Sequence, residues 1–237
     1  MSDPVANPPV ASAPAAKTST WEDVLDVFYA PREVFERRRD GRYLVPLLIS
    51  CLITIAVFYL SQGMNETLQE AEFQRVIRES KMTAEQAAMT KAMGKKFSAL
   101  AIYLVPAFVA IAAWLGGLMV MLLGNMMGGK MKYAQGTAIA VLASMPELLG
   151  RIVAGVQALF LDTSTATHRY SYSLSAARFM PGDTNNWLLK LGALADPFVI
   201  WGIVLIGMGA WIIGRMEKEK AAVLAIIVAL ISAALFR

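Results

Sequence analysis

Phe97 to Gly124 reads FSALAIYLVPAFVAIAAWLGGLMVMLLG, without one charged residue. About 20 apolar residues suffice to carry a helix across the hydrocarbon core of a bilayer. In lipid no water is available to the backbone, so such a run must satisfy its own N–H and C=O groups as a helix. This run is longer than a perpendicular crossing needs, so it is expected to tilt. Composition agrees: 57% of the 237 residues are hydrophobic and 17% charged. Soluble domains carry closer to half and a quarter.

Outward from this run the pattern repeats. Apolar stretches lie at about Leu44–Leu60, Tyr133–Leu161, Leu191–Gly214 and Ala221–Phe236. The fold class read from them is all-α: a polytopic membrane protein of five transmembrane helices over residues 44–237. Pro46, Pro106, Pro146 and Pro197 fall inside or beside the spans. Ala113 with Gly117, and Gly124 with Gly128, have the small-xxx-small spacing that lets helices approach closely. Gly124–Lys132 is a glycine-rich turn. It lacks the G-x-x-x-x-G-K-[ST] order of a phosphate loop.

Residues 64–96 form a polar excursion between spans 1 and 2. It mixes five glutamates and six bases, and Thr83-x-x-Gln86 has capping-box spacing. Two short helices joined near Ser80–Thr83 are expected. Residues 162–190 form a second polar stretch, with a Pro181-Gly182 turn.

Before the first span, residues 1–18 are a Pro/Ala-rich tail that cannot build a core. Residues 19–43 form an amphipathic region. Ser19 and Glu22 have capping-box spacing, and Trp21, Val24, Leu25 and Phe28 share one helical face, with Glu22, Asp23 and Asp26 opposite. Pro31 can open a second short helix, with Val34 and Phe35 apolar and Arg32, Arg37, Arg38, Arg39 and Arg42 charged. Two placements fit it, and they are compatible: on the lipid surface, or packed on the protein's own loops. In the first, Trp21, Phe28, Arg32, Phe35, Arg37, Arg38, Arg39 and Arg42 contact lipid headgroups and the apolar boundary. No cleavable leader is expected, since the first apolar run starts near Leu44, which reads as a signal anchor.

The chemistry excluded is as informative. Net charge is +4, too mild for a nucleic-acid partner. Cys51 and His168 are the only residues of their types, so no internal disulfide or Cys/His metal site can form. No catalytic constellation, metal site or cofactor motif is found. Three charged residues lie in or near spans: Glu147, Arg151 and Asp196. Glu147 and Arg151 are four apart, and a lone charge at mid-membrane costs at least about 2.5 kcal/mol, so an inward-facing pair is expected. A second arrangement makes span 3 two short helices with the pair at a water-exposed break. Asp196 is expected at a bilayer boundary or facing the bundle interior.

Three stretches resemble bacterial Yip1-domain membrane proteins. The first is FYAPREVFERRRDGRYLVPLLIS, through Phe28, Pro31, Arg32, Phe35 and Pro46. The second is GGKMKYAQGTAIAVLASMPELLG, through Gly128, Gly129, Tyr133, Gln135 and Pro146. The third is LADPFVIWGIVLIGMGA, through Asp196, Phe198 and Trp201. The excursion TAEQAAM is similar to a Glu-Gln-Ala helix of related bacterial proteins. The resemblance implies five spans and a cytoplasmic N-terminus. Eukaryotic relatives act in vesicle traffic with Rab GTPases, a role the short tail here does not carry over.

With a cytoplasmic N-terminus that side holds eleven bases against ten opposite. The total does not decide, but the arginine cluster before span 1 favours it. The localisation expected is a bacterial inner membrane, with the C-terminus outside. Expected partners are membrane lipids, with a second copy or other membrane proteins as candidates. The function expected is a non-enzymatic scaffold or organiser of the bilayer. The alternative is a small-solute or ion transporter or channel using the polar residues of span 3.

Overall fold

The computed structural model describes residues 21–161 and 166–236. The tail and the Ser19 half of the expected capping box lie outside the described residues. Glu22 stands at the N-cap of α1 (Asp23–Tyr29) and makes no capping bond through its side chain. Pro31 opens α2 (Pro31–Arg37), where its missing N–H costs nothing. Gly41 then turns the chain at φ +81°, and a Cβ there would meet the backbone of Ala134 at 2.9 Å. Only glycine admits both the left-handed backbone and that approach.

α3 (Leu44–Leu60) has the bounds read from the sequence. At Ser61 the chain bends by 77° into α4 (Gln62–Ser80). Lys81, in the left-handed region at φ 49°, ends α4. Thr83 and Gln86 then form the expected reciprocal capping box. The helix they start does not stop at the edge of the excursion. α5 (Ala84–Met126) runs unbroken for 43 residues, about 65 Å at 1.5 Å per residue. The excursion's second helix and span 2 are one element, since no cap or turn residue pair separates them.

Span 3 is divided. α6 (Tyr133–Ala143) and α7 (Met145–Ala158) meet at Ser144, two residues before the helix-breaking Pro146. The Ser144 hydroxyl donates to the Val141 carbonyl at 2.8 Å and satisfies it at the break. α6 and α7 still make one apolar stretch, Tyr133–Gln157. A loop with a 3-10 turn at Ala176–Phe179 leads to α8 (Asn186–Leu194). α9 (Pro197–Ile212) is bent 66° from α8, and α10 (Lys218–Phe236) ends the chain.

Tyr103–Met126 and Tyr133–Gln157 are each long and apolar enough to cross a membrane alone. Counting each bent pair, α3 with α4 and α8 with α9, as one span gives four such segments by length and composition among the described residues. The expected Leu191–Gly214 run is thus two helices, α8 ending at Leu194 and α9 beginning at Pro197.

α5 packs along α6 at the closest approach in the bundle. A Cβ on Gly117 would fall 2.4 Å from Thr137 Oγ1, and one on Gly136 2.4 Å from the Gly117 carbonyl oxygen. The core runs through Leu47, Val120, Ile139, Leu142, Leu205 and Leu224.

Candidate functional site

The elements gather at two ends. At one, α1 and α2, the 127–132 turn and the 213–217 turn come together. Lys130 N–H donates to the Gly214 carbonyl at 3.0 Å. Gln135 takes the Lys132 N–H at 2.8 Å and donates to the Arg39 carbonyl at 2.7 Å. Asn125 clasps Met131 through two hydrogen bonds, at 2.9 and 2.7 Å.

α1 and α2 are clamped to each other by ion pairs. Asp23 is fully buried and accepts from both Arg37, at 2.8 Å, and Arg38. Arg37 also bonds Asp26, whose carboxylate takes the Tyr29 hydroxyl as well. The Tyr29 hydrogen bond, then Arg37, holds the Asp26 carboxyl below its ordinary value of 3.8. The bond to Asp26 pushes the Tyr29 hydroxyl up. Burial works against the charge on Arg37, and its bonds to Asp23 and Asp26 outweigh it and raise its pKa. Phe35 is fully buried, its ring edge against Gly209 and Ile139 of the core.

Three of the lipid-contact residues expected from the sequence therefore do another job. Arg37 and Arg38 fasten α2 to α1 through Asp23, and Phe35 seats the segment on the bundle. A helical wheel marks Asp23 as outward because it is charged, but the arginines of α2 neutralise it, and the α1 face carrying Asp23 and Val27 is the buried one. Phe28 is half-buried against the core. Trp21, Arg32, Arg39 and Arg42 are exposed. Arg32 pairs with Glu36 at 3.1 Å and Arg42 with Asp40 at 2.8 Å. The Arg32 guanidinium lies 5.6 Å from the Trp211 ring centre and the Lys218 ammonium 4.7 Å from it, a cation–π arrangement suited to a bilayer interface. Lys130, Lys132, Arg215 and Lys220 add exposed bases at the same end.

The structure does not gather the intramembrane polar residues into one site. Arg151 is exposed, so it does not face the bundle interior as expected. Glu147 is half-buried in the first turn of α7. There the partial positive charge of a helix N-terminus favours a carboxylate. Asp196 is the N-cap of α9, and its Oδ1 accepts the Phe198 N–H at 2.8 Å. Among the described residues no cluster of His, Cys, Asp or Glu could hold a metal ion.

The order of these elements, from the Pro31–Phe35 entry to the Asp196–Phe198 cap, follows the resemblance seen in the sequence. The Yip1-domain family model matches residues 25–236. The chain belongs to the Yip1-domain family. No curated protein and no solved structure matches it. Membership places this Yip1-domain chain among helical, multi-pass integral membrane proteins.

Two buried polar residues at the opposite end of this Yip1-domain bundle escaped the sequence reading. Arg75 of α4 is 2% exposed, donates to the Thr184 carbonyl at 3.1 Å, and pairs with Glu79 at 2.9 Å. His168 is fully buried. Its Nδ1 accepts the Tyr170 N–H at 3.2 Å, so Nε2 carries the proton and donates to the Met180 carbonyl at 3.0 Å. Both tie the 166–185 loop. Among six bases in a charged excursion nothing singles out Arg75, and a lone histidine carries no pattern.

Proposed function

We propose that this Yip1-domain protein is a non-enzymatic membrane scaffold whose N-terminal end is a rigid platform on an anionic bilayer surface. The observation that carries the reading is the docking of α1 and α2. Buried Val27, Val34 and Phe35 seat the segment on the bundle core, and the Asp23–Arg37–Arg38 cluster locks its two helices together, so it is not a free amphipathic helix. Its exposed bases then lie at the same end as those of two turns. Each base near an anionic surface contributes about 1 kcal/mol, with salt screening.

Five crossings, a cytoplasmic N-terminus, an outer C-terminus and a bacterial inner-membrane address belong to the same proposal. Its support is alternation. α3, α5, α6 with α7, α8 with α9, and α10 run back and forth between the two ends. The arginines before α3 favour the cytoplasm. Partners on this reading are lipids and other membrane proteins. The helix breaks do not favour transport. A transporter aims broken-helix N-termini at its solute, whereas here Asp196 caps α9 and Glu147 occupies the first turn of α7.

The test uses full-length protein reconstituted with spin-labelled phosphatidylglycerol or phosphatidylcholine. The motion-restricted fraction should be about twofold larger for phosphatidylglycerol at low salt and converge at high salt. Changing Arg39, Arg42, Lys130 and Lys132 to Gln should remove the difference. Equal fractions at low salt would overturn the platform. Facilitated solute flux into sealed vesicles would replace the scaffold with a transporter.

A further inference from the structure

At the end opposite the platform, α7 leaves the bundle surface beside the 3-10 turn. Between them lies an open groove of about 400 Å³, within the size range of ligand sites. Its lining is almost wholly apolar. Ile152 and Val156, four residues apart, form one exposed row along α7, and exposed Phe160 follows in the turn after the helix ends. A neighbouring face of the helix is committed to packing, since Gly150 lies under the Phe198 ring. The two polar residues in the lining, Gln157 and Arg178, are joined by a 3.0 Å hydrogen bond from Arg178 Nη1 to Gln157 Oε1.

The order of these groups along the membrane normal is the informative feature. Gln157 is the last residue of the apolar stretch Tyr133–Gln157. Ile152 lies about 8 Å deeper along the helix. Ile152 and Val156 therefore lie at hydrocarbon depth, while Phe160, past the end of the stretch, and Arg178, bonded to Gln157, stand at the headgroup level. A guanidinium has five N–H donors, and among the described residues one of those on Arg178 is used, by Gln157. The groove is thus amphiphilic in the same sense as a phospholipid: apolar where the chains lie, cationic where the phosphate lies.

We propose that this groove holds one phospholipid of the surrounding bilayer, with an acyl chain along Ile152 and Val156, the phosphate on Arg178 and Phe160 flanking the mouth. Gln157 is the positioning residue, fixing the guanidinium over the groove mouth. Arg suits the task because its planar fork engages two phosphate oxygens at once. Charge complementarity argues for this occupant: the apolar row and the guanidinium meet at one groove mouth in the order of a phospholipid's chain and phosphate. The site is independent of the platform and lies in the other leaflet.

The test is native mass spectrometry of the full-length protein released from detergent. Phosphatidylglycerol is added in one series, and diacylglycerol with the same chains in another. The wild-type protein should retain one phosphatidylglycerol at least about fivefold better than diacylglycerol, through the charged hydrogen bonds to phosphate. R178Q should lower phosphatidylglycerol retention to the diacylglycerol level. V156W fills the groove from an exposed position and should lower retention of both. Equal retention of the two lipids by the wild-type protein would overturn the proposal. So would V156W retaining phosphatidylglycerol like the wild type, an outcome that decides even where R178Q fails to fold.

Discussion

At Asp23 a fully buried carboxylate faces two guanidiniums, and the cost of breaking the cluster depends on which partner is removed. Arg38 is 7% exposed and has Asp23 as its ion-pair partner among the described residues. Asp23→Ala strands that charge, so the change should cost about 3–5 kcal/mol. Arg37→Gln should cost much less. Its side chain is 27% exposed, and Asp23 keeps Arg38. Thermal unfolding of the purified protein in one detergent ranks the two, and equal losses would contradict the clamp. The cluster also sets a pH dependence. Asp26 is held below its ordinary value, so its contribution is fully present above about pH 3.8. It is lost as pH falls through the lowered value. Hydrogen exchange over residues 23–37 should be flat from pH 8 to 5, once corrected for intrinsic rates, and should rise under stronger acid.

At the scale of elements, two glycines of α5 separate packing from propensity. Gly117 allows backbone contact with α6, so Gly117→Val must push Thr137 aside. Overpacking of this kind costs about 1–3 kcal/mol or more. Gly94 has nothing within 4 Å of a built Cβ. Gly94→Ala should therefore stabilise the protein by about 0.4–1 kcal/mol, through helix propensity and lost unfolded-state freedom. Melting temperatures that move in opposite directions would meet both expectations. The helix breaks have their own signature. Asp196→Ala removes the N-cap of α9 and should cost about 0.5–2 kcal/mol, while Asp196→Asn keeps an acceptor and should cost less. The small-xxx-small reading is right for Gly117 and irrelevant for Gly128. At Gly128 φ is +96° with open space around it, so that glycine serves a turn.

For the whole molecule, the alternation of elements between two ends is a topological statement that labelling can test. In a Cys51→Ser background, Lys132→Cys and Lys218→Cys should be shielded from a membrane-impermeant thiol reagent added outside intact cells. Arg169→Cys at the other end should react. Labelling of all three from one side would remove the five-crossing reading. Labelling of the first two but not the third would invert the orientation.

The apolar runs, the Thr83–Gln86 cap, the bounds of α3 and the membrane class were legible because they depend on neighbours in the chain. A bilayer acts as a one-dimensional solvent, so length and composition decide whether a segment enters it. The continuity of α5 was missed because a change of polarity marks where lipid ends, while only a cap or breaker ends a helix. The fate of the arginine segment was outside the reach of local pattern. Whether Arg37 and Arg38 face lipid or a carboxylate depends on α1 folding back over α2. Phe35 is buried through its contacts with Ile139 and Gly209, far along the chain. The sequence alone determined that this protein lives in a membrane as helices. Tertiary structure alone decided which charges are free, because burying a charge is tolerable only where its partner arrives from another element.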